Sequence, residues 1–154
     1  MTVTAINTTT FLSDLTIFLR DDLLTNVTDP ISATRQANHK FVMTSYPQRG
    51  ATYPLITVRN TNISDIKRLG MQSELHWINL PMEVRVWARN VKEKDELSQQ
   101  VINRLRDFEL NTPGTVSAGV HDFKLLSAVN VDEDGDGGIH SRVIEVSYNF
   151  VLGG

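Results

Sequence analysis

The sequence predicts an α+β fold: a mostly antiparallel sheet of about four to six strands, with two helices packed on one face. Two segments repeat apolar residues at helical spacing, near Phe11 and near Leu97. Several others alternate apolar and polar residues or are short and β-branched. These strand-like segments follow one another with no helix between most of them, which favours antiparallel pairing over a βαβ alternation.

Residues 1–9 read as a flexible lead and 10–154 as a single domain. Thr10 is placed to cap a helix from about Phe11 to Leu24, whose stripe is Leu12, Leu15, Leu19 and Leu23, widened by Phe18. Asp29-Pro30 marks a loop over 25–32, because proline biases its predecessor away from helical backbone. A strand is expected at 39–45, then a turn-rich connector, then a strand at Pro54–Arg59. The polar stretch 60–71, closed by Gly70, reads as a loop or one loose helical turn.

From Glu74 to Arg89 the pattern is extended. Met82, Val84, Val86 and Ala88 alternate with Glu83, Arg85, Trp87 and Arg89, the signature of a half-buried strand. Pro81 places an edge or an irregularity near its start. Asn90 and Glu93 then have capping-box spacing, and Leu97, Val101, Leu105 and Phe108 run down one helical face. Arg104 and Arg106 fall in the expected last turns, where bases suit the helix dipole. A hairpin over 120–152 completes the order. Phe123, Leu125 and Val129 share one side of its first strand, and Ile144, Val146, Tyr148, Phe150 and Leu152 one side of its second. Its tip is the acidic, glycine-rich 132–138.

At 154 residues, one domain with a self-sufficient core is expected. The chain has no cysteine, which excludes disulfides, thiolate metal sites and a cysteine nucleophile. It has no membrane-length apolar run and no secretory leader, so a soluble, unexported protein is expected. Its net charge of −3 is unevenly distributed. Residues 1–34 carry one base against four acids, 35–106 twelve against six, and 107–154 two against eight. A basic middle and an acidic end suit association between unlike surfaces.

Asp132, Asp134 and Asp136 fit positions 1, 3 and 5 of an EF-hand loop, with Gly137 at the turn. The closing bidentate position is Val143, so calcium would be weakly held and a solvated acidic tip is the simpler reading. His39, His76, His121 and His140 have no short ligand spacing. No nucleophile elbow, phosphate loop or dinucleotide fingerprint occurs, and no cofactor or enzymatic activity is expected. Glu83 and Glu145, both on strands, could in principle pair as acid and base, but nothing in the sequence marks either as buried. Arg35, Lys40, Arg49, Arg59, Lys67, Arg68, Arg85, Arg89, Lys92 and Lys94 lie in the same segment as Trp77 and Trp87, a composition open to nucleic acid. The pI of about 5.8 argues against it.

Tyr53–Val58, then Met82-Glu83-Val84-Arg85-Val86-Trp87-Ala88-Arg89, then Lys92–Glu96 leading into Leu97–Phe108, and finally Ser141–Phe150, together resemble the tail-terminator (tail-completion) proteins of long-tailed double-stranded DNA viruses and proviruses. The resemblance covers most of residues 10–152. The long 60–75 connector and the acidic tip depart from it. It implies a virion protein of the tail and neck, assembled in the host cytoplasm as a homo-oligomeric ring, usually hexameric. Such a ring caps the tail tube protein, stops its polymerisation and offers a docking surface to a head-completion or connector protein. DNA would pass through its lumen without specific binding. Arg85, Trp87, Arg89 and Lys92 are the expected subunit or partner contact. Asp132, Asp134 and Asp136 would face the lumen or the partner ring. A head-completion ring of the neck is the alternative, and a nucleic-acid-binding module a more distant one.

Overall fold

A computed structural model of the chain describes residues 11–44, 51–61, 64–68, 76–110, 120–131 and 139–152. Helix α1 spans Phe11–Asn26. Its buried stripe is Leu15, Leu19 and Leu23, continued by Val27 just past the end. The helix runs beyond the expected stop at Leu24 because side chains close it. Thr25 Oγ1 donates to the Asp21 carbonyl and Asn26 Nδ2 to the Asp22 carbonyl, each at 2.9 Å. The following loop turns at Asp29, whose Oδ1 accepts the Ile31 N–H at 3.0 Å.

Of the strand expected at 39–45, only β1 (Val42–Met43) forms within the described residues. The His39 N–H is already committed to the Gln36 carbonyl of a preceding turn, at 2.9 Å. β2 (Leu55–Asn60) pairs parallel with β1 and follows a cis Tyr53–Pro54 bond. β3 (Ser64–Arg68) is a strand where the sequence predicted a loop or loose helical turn. Its local composition carries no strand signal; it is held by pairing with β4 (His76–Ala88).

β4 is the centre of the sheet. The strand order is β1-β2-β4-β6-β5, with β3 also paired to β4. Along one flank β4 meets β6 (His140–Leu152) over its full length. Along the other it meets β2 over residues 82–87 and β3 over 76–79. Pro81 lies at the break between those two. Its carbonyl accepts the Thr61 N–H at 3.2 Å, so its missing N–H belongs to the same flank. The expected irregularity is therefore present, although β4 is not an edge strand.

Between β4 and β5 (Val120–Val131) runs α2, Val91–Leu110. Glu93 N–H donates to Asn90 Oδ1 at 2.8 Å, so Asn90 is the cap the sequence predicted. The reciprocal arm shifts by one residue: Glu93 accepts the N–H of Arg89, at 3.2 Å. The helix extends past the sequence expectation, so Arg104 and Arg106 are not in its last turn, which holds no base. Arg104 instead reaches Asp22 of α1.

Both helices cover one sheet face. Leu15, Leu19, Leu23, Leu97, Val101 and Leu105 meet Ile56, Val58, Leu80, Met82, Val84, Val86, Ile144, Val146 and Tyr148 in one core. The fold is thus α+β with a mostly antiparallel sheet. Phe123 stacks on Tyr148 with ring centres 5.7 Å apart, and Leu125 packs at the core margin. Val129, expected on the same side, is 56% exposed. Two register shifts in β5, between His121 and Lys124 and between Leu125 and Ser127, explain it. Each inserts one residue, and the second turns Val129 to the other face.

Candidate functional site

Period-two alternation sends the odd-numbered residues of β4 away from the helices. In register, three rows cross this helix-free face: Leu55–Trp87–Ser141, Thr57–Arg85–Val143 and Arg59–Glu83–Glu145. Two of the predicted contact residues, Arg85 and Trp87, are brought together on it. The Arg85 guanidinium carbon lies 4.0 Å from the centre of the Trp87 ring, a cation–π stack. Arg85 also donates through Nε and Nη2 to Ser141 Oγ, at 3.2 and 2.9 Å. Trp87 Nε1–H donates to Thr57 Oγ1 at 3.0 Å. Four side chains from three strands therefore fix one another. The indole is only 7% exposed, so it is a support for the guanidinium rather than an open stacking platform.

Arg89 and Lys92 belong to a separate arrangement at the start of α2. Arg89 Nη2 donates to Glu93 Oε2 at 2.9 Å, and this hydrogen bond, outweighing burial, holds the Glu93 carboxyl below its ordinary range. Lys92 lies 3.8 Å from Glu96 and is 84% exposed. Such exposed pairs are worth little to stability, which leaves both bases able to exchange partners.

The third row corrects the sequence reading of the acids. Glu83 is buried, and it lies directly opposite Glu145 across the β4–β6 ladder. Arg59 Nη2 donates to Glu83 Oε2 at 3.1 Å, while Glu83 Oε1 is buried without a hydrogen-bond partner. Glu145 is exposed and accepts only at long range from Ser127 Oγ, at 3.5 Å. In the next rows Asn79 Nδ2 donates to Asn149 Oδ1 at 3.1 Å. Thr57 and Ser141 were not singled out by the sequence, whereas Glu83 and Glu145 were weighed there as a pair. Alternation assigns each strand's faces, but only the register brings Glu83 to Glu145.

The basic residues of the middle segment do not share one surface. Arg35 is enclosed by Asp29 and two backbone carbonyls. The Lys94 side chain is 6% exposed. Arg59 is paired with Glu83, and Arg104 with Asp22. Arg142 of the acidic end meets Asp95 of the basic middle at 3.1 Å. Folding thus interleaves the charge blocks of the sequence.

His39 Nδ1 is hydrogen-bonded to Thr52 Oγ1. Among the described residues, no group of three or more His, Asp or Glu is arranged to hold a metal. Asp132, Asp134 and Asp136, like the 1–9 lead, Arg49 and the Thr10 cap, lie outside the described residues; so do the side chains of Lys67, Arg68, Trp77 and Phe108. Among the described residues, no helix is long and apolar enough to cross a membrane. No known family model matches the chain, and no curated protein matches it.

Proposed function

We propose that the protein is a tail terminator: a structural virion protein that forms a ring on the tail tube, stops its growth and receives the head. One observation carries this reading beyond the resemblance. The helices protect one sheet face, while the other carries a half-buried guanidinium, Arg85, held in fixed geometry by the buried Trp87 and Ser141, with Thr57 anchoring the indole. A preorganised polar face suits a subunit or partner contact, because little side-chain entropy remains to be lost when it is covered. Arg89 and Lys92, exposed beside acids of their own helix, complete the proposed contact region. The acidic tip is assigned by its charge to the lumen or the neighbouring ring, with DNA passing unbound.

The nucleic-acid-binding alternative is weakened by the ion pairs that occupy Arg35, Arg59 and Arg104. Two measurements test the proposal. Sedimentation of the purified protein, alone and with tail tube protein, is expected to give a ring-sized species. Loss of the protein from its virus is expected to give overlong tails. Unjoined tails of normal length would instead assign it to head completion, and a strict monomer under both conditions would overturn the ring.

A further inference from the structure

We propose that α1 of one copy lies along β5 of the next, with Ile17 and Leu24 against Leu126 and Val129 and Asp14 beside Lys124. The proposal rests on the ring reading and names one contact of that ring. α1 is apolar on two sides. Leu15, Leu19 and Leu23 face the sheet, whereas Ile17 and Leu24, seven residues apart on one stripe, are 38% and 53% exposed. The fold covers the first stripe and leaves the second to water. On β5, Lys124 lies opposite Ser147 and Val129 opposite Val143, so both belong to the helix-free face that carries Arg85. Alternation from Lys124 adds Leu126, which falls at the register shift. Leu126 is 55% and Val129 56% exposed, and Lys124 is exposed. β5 ends the sheet order next to β6, and an edge that shows large apolar side chains invites a second chain.

The two surfaces match in order, spacing and charge. Seven residues of helix set Ile17 and Leu24 about 10 Å apart. Three residues of strand set Leu126 and Val129 at most about 10 Å apart. Asp14, in the first turn of α1, precedes Ile17 by about 5 Å of helix. Lys124 precedes Leu126 by about 7 Å of strand, a difference its long stem spans. Both surfaces thus read charge, apolar, apolar, with opposite charges in the same place. The charge also sets direction, because a reversed α1 would bring Thr28 rather than an acid to Lys124. The contact joins the outer side of the helical layer to the helix-free face, so it is head-to-tail between unlike surfaces, the kind that closes into rings.

Cross-linking tests it. The chain has no cysteine, so single cysteines report contacts between copies without background. Full-length variants with one cysteine each are mixed in pairs and mildly oxidised where the wild type sediments as a ring. Ile17→Cys with Leu126→Cys, and Leu24→Cys with Val129→Cys, are expected to form mixed disulfides at least about fivefold faster than the crossed pairs, Ile17→Cys with Val129→Cys and Leu24→Cys with Leu126→Cys. All four positions are exposed, and circular dichroism checks that each variant folds. Crossed pairs that react as fast, Leu24→Cys reacting chiefly with itself, or no mixed disulfide at all would overturn the contact while leaving the ring intact. Lys124→Glu is expected to raise the concentration for half-assembly by about tenfold at low salt and by less at high salt. Unchanged assembly would overturn the pairing with Asp14. A wild-type protein that never associates would overturn the ring and this contact together.

Discussion

Arg35 joins three segments with one guanidinium. Nε and Nη2 engage the two oxygens of Asp29 at 2.6 and 3.0 Å, Nη1 donates to the Thr52 carbonyl at 2.8 Å, and Nη2 also reaches the Pro54 carbonyl. Its carbon lies 5.1 Å from the centre of the Phe41 ring. Burial pushes the Asp29 carboxyl up, but hydrogen bonds from Arg35 and Ile31 and the charge of Arg35 together hold it below its ordinary range. Arg35→Ala is expected to cost about 3–5 kcal/mol in urea unfolding, since it strands a largely buried carboxylate. Arg35→Lys recovers little, because an ammonium cannot reproduce the fork. A lowered carboxyl pKa contributes stability above the unfolded value, about pH 4, that is lost as pH falls through the folded value. The alanine variant should therefore lose less stability on acidification than wild type. Tyr148 is the opposite case. Its hydroxyl is buried without a partner, and burial alone raises its pKa. Tyr148→Phe keeps the stack on Phe123 and is expected to be neutral or stabilising by about 1 kcal/mol in thermal melts. The sequence identifies Tyr148 as an inward strand residue, but it shows Arg35 only as one base among twelve. What makes Arg35 a clamp is the approach of Thr52 and Pro54 from across the fold.

At the scale of elements, legibility follows the locality of the cause. α2 was readable because its cap, its stripe and its flanking residues all lie within the segment itself. Asn90→Ala is expected to remove about 1 kcal/mol, measured by chemical denaturation, because the Glu93 N–H loses its acceptor. β4 was readable from alternation, and Pro81 correctly marked a disturbance in it. β3 was not readable, since Ser64–Arg68 is extended only because β4 offers a ladder to a polar segment. The face change in β5 was hidden for a different reason. The inserted residue near Leu126 is flanked by apolar neighbours, so hydrophobic spacing alone supports either register.

For the whole molecule, the charge blocks counted along the chain are a poor map of the surface. Asp22 is fully buried on α1 and takes both Arg104 Nε and Nη2 from α2, at 2.8 and 2.7 Å, so an acid of the first block and a base of the second lock the helices together. Asn26 Nδ2 adds a third hydrogen bond to the same carboxylate, at 3.2 Å. Arg104→Ala is expected to cost about 3–5 kcal/mol by leaving that charge buried. A double-mutant cycle with Asp22→Ala should give a coupling of about 1–3 kcal/mol, read from urea midpoints. A coupling near zero would mean that the apolar stripes alone set the helix pair. The α+β class and the helix-bearing face were legible from pattern. The candidate site was legible only in part: Arg85 and Trp87 share one network as the alternation implied, whereas Arg89 and Lys92 turn to acids of α2, and the Glu83–Glu145 row depends on a register between residues far apart in sequence.

The position of β6 sets the timing of folding. It is the last of these strands to be synthesised, yet it lies inside the sheet, between β4 and β5. A nascent chain that has released β1 to β5 still exposes one whole flank of β4 and has no partner for β5. The sheet therefore closes only after translation has passed Leu152. Ribosome-bound chains arrested before His140 are expected to remain sensitive to protease, and chains arrested with β6 clear of the exit tunnel to be resistant. In the proposed ring, subunits would then enter assembly as finished units rather than pairing while still being made.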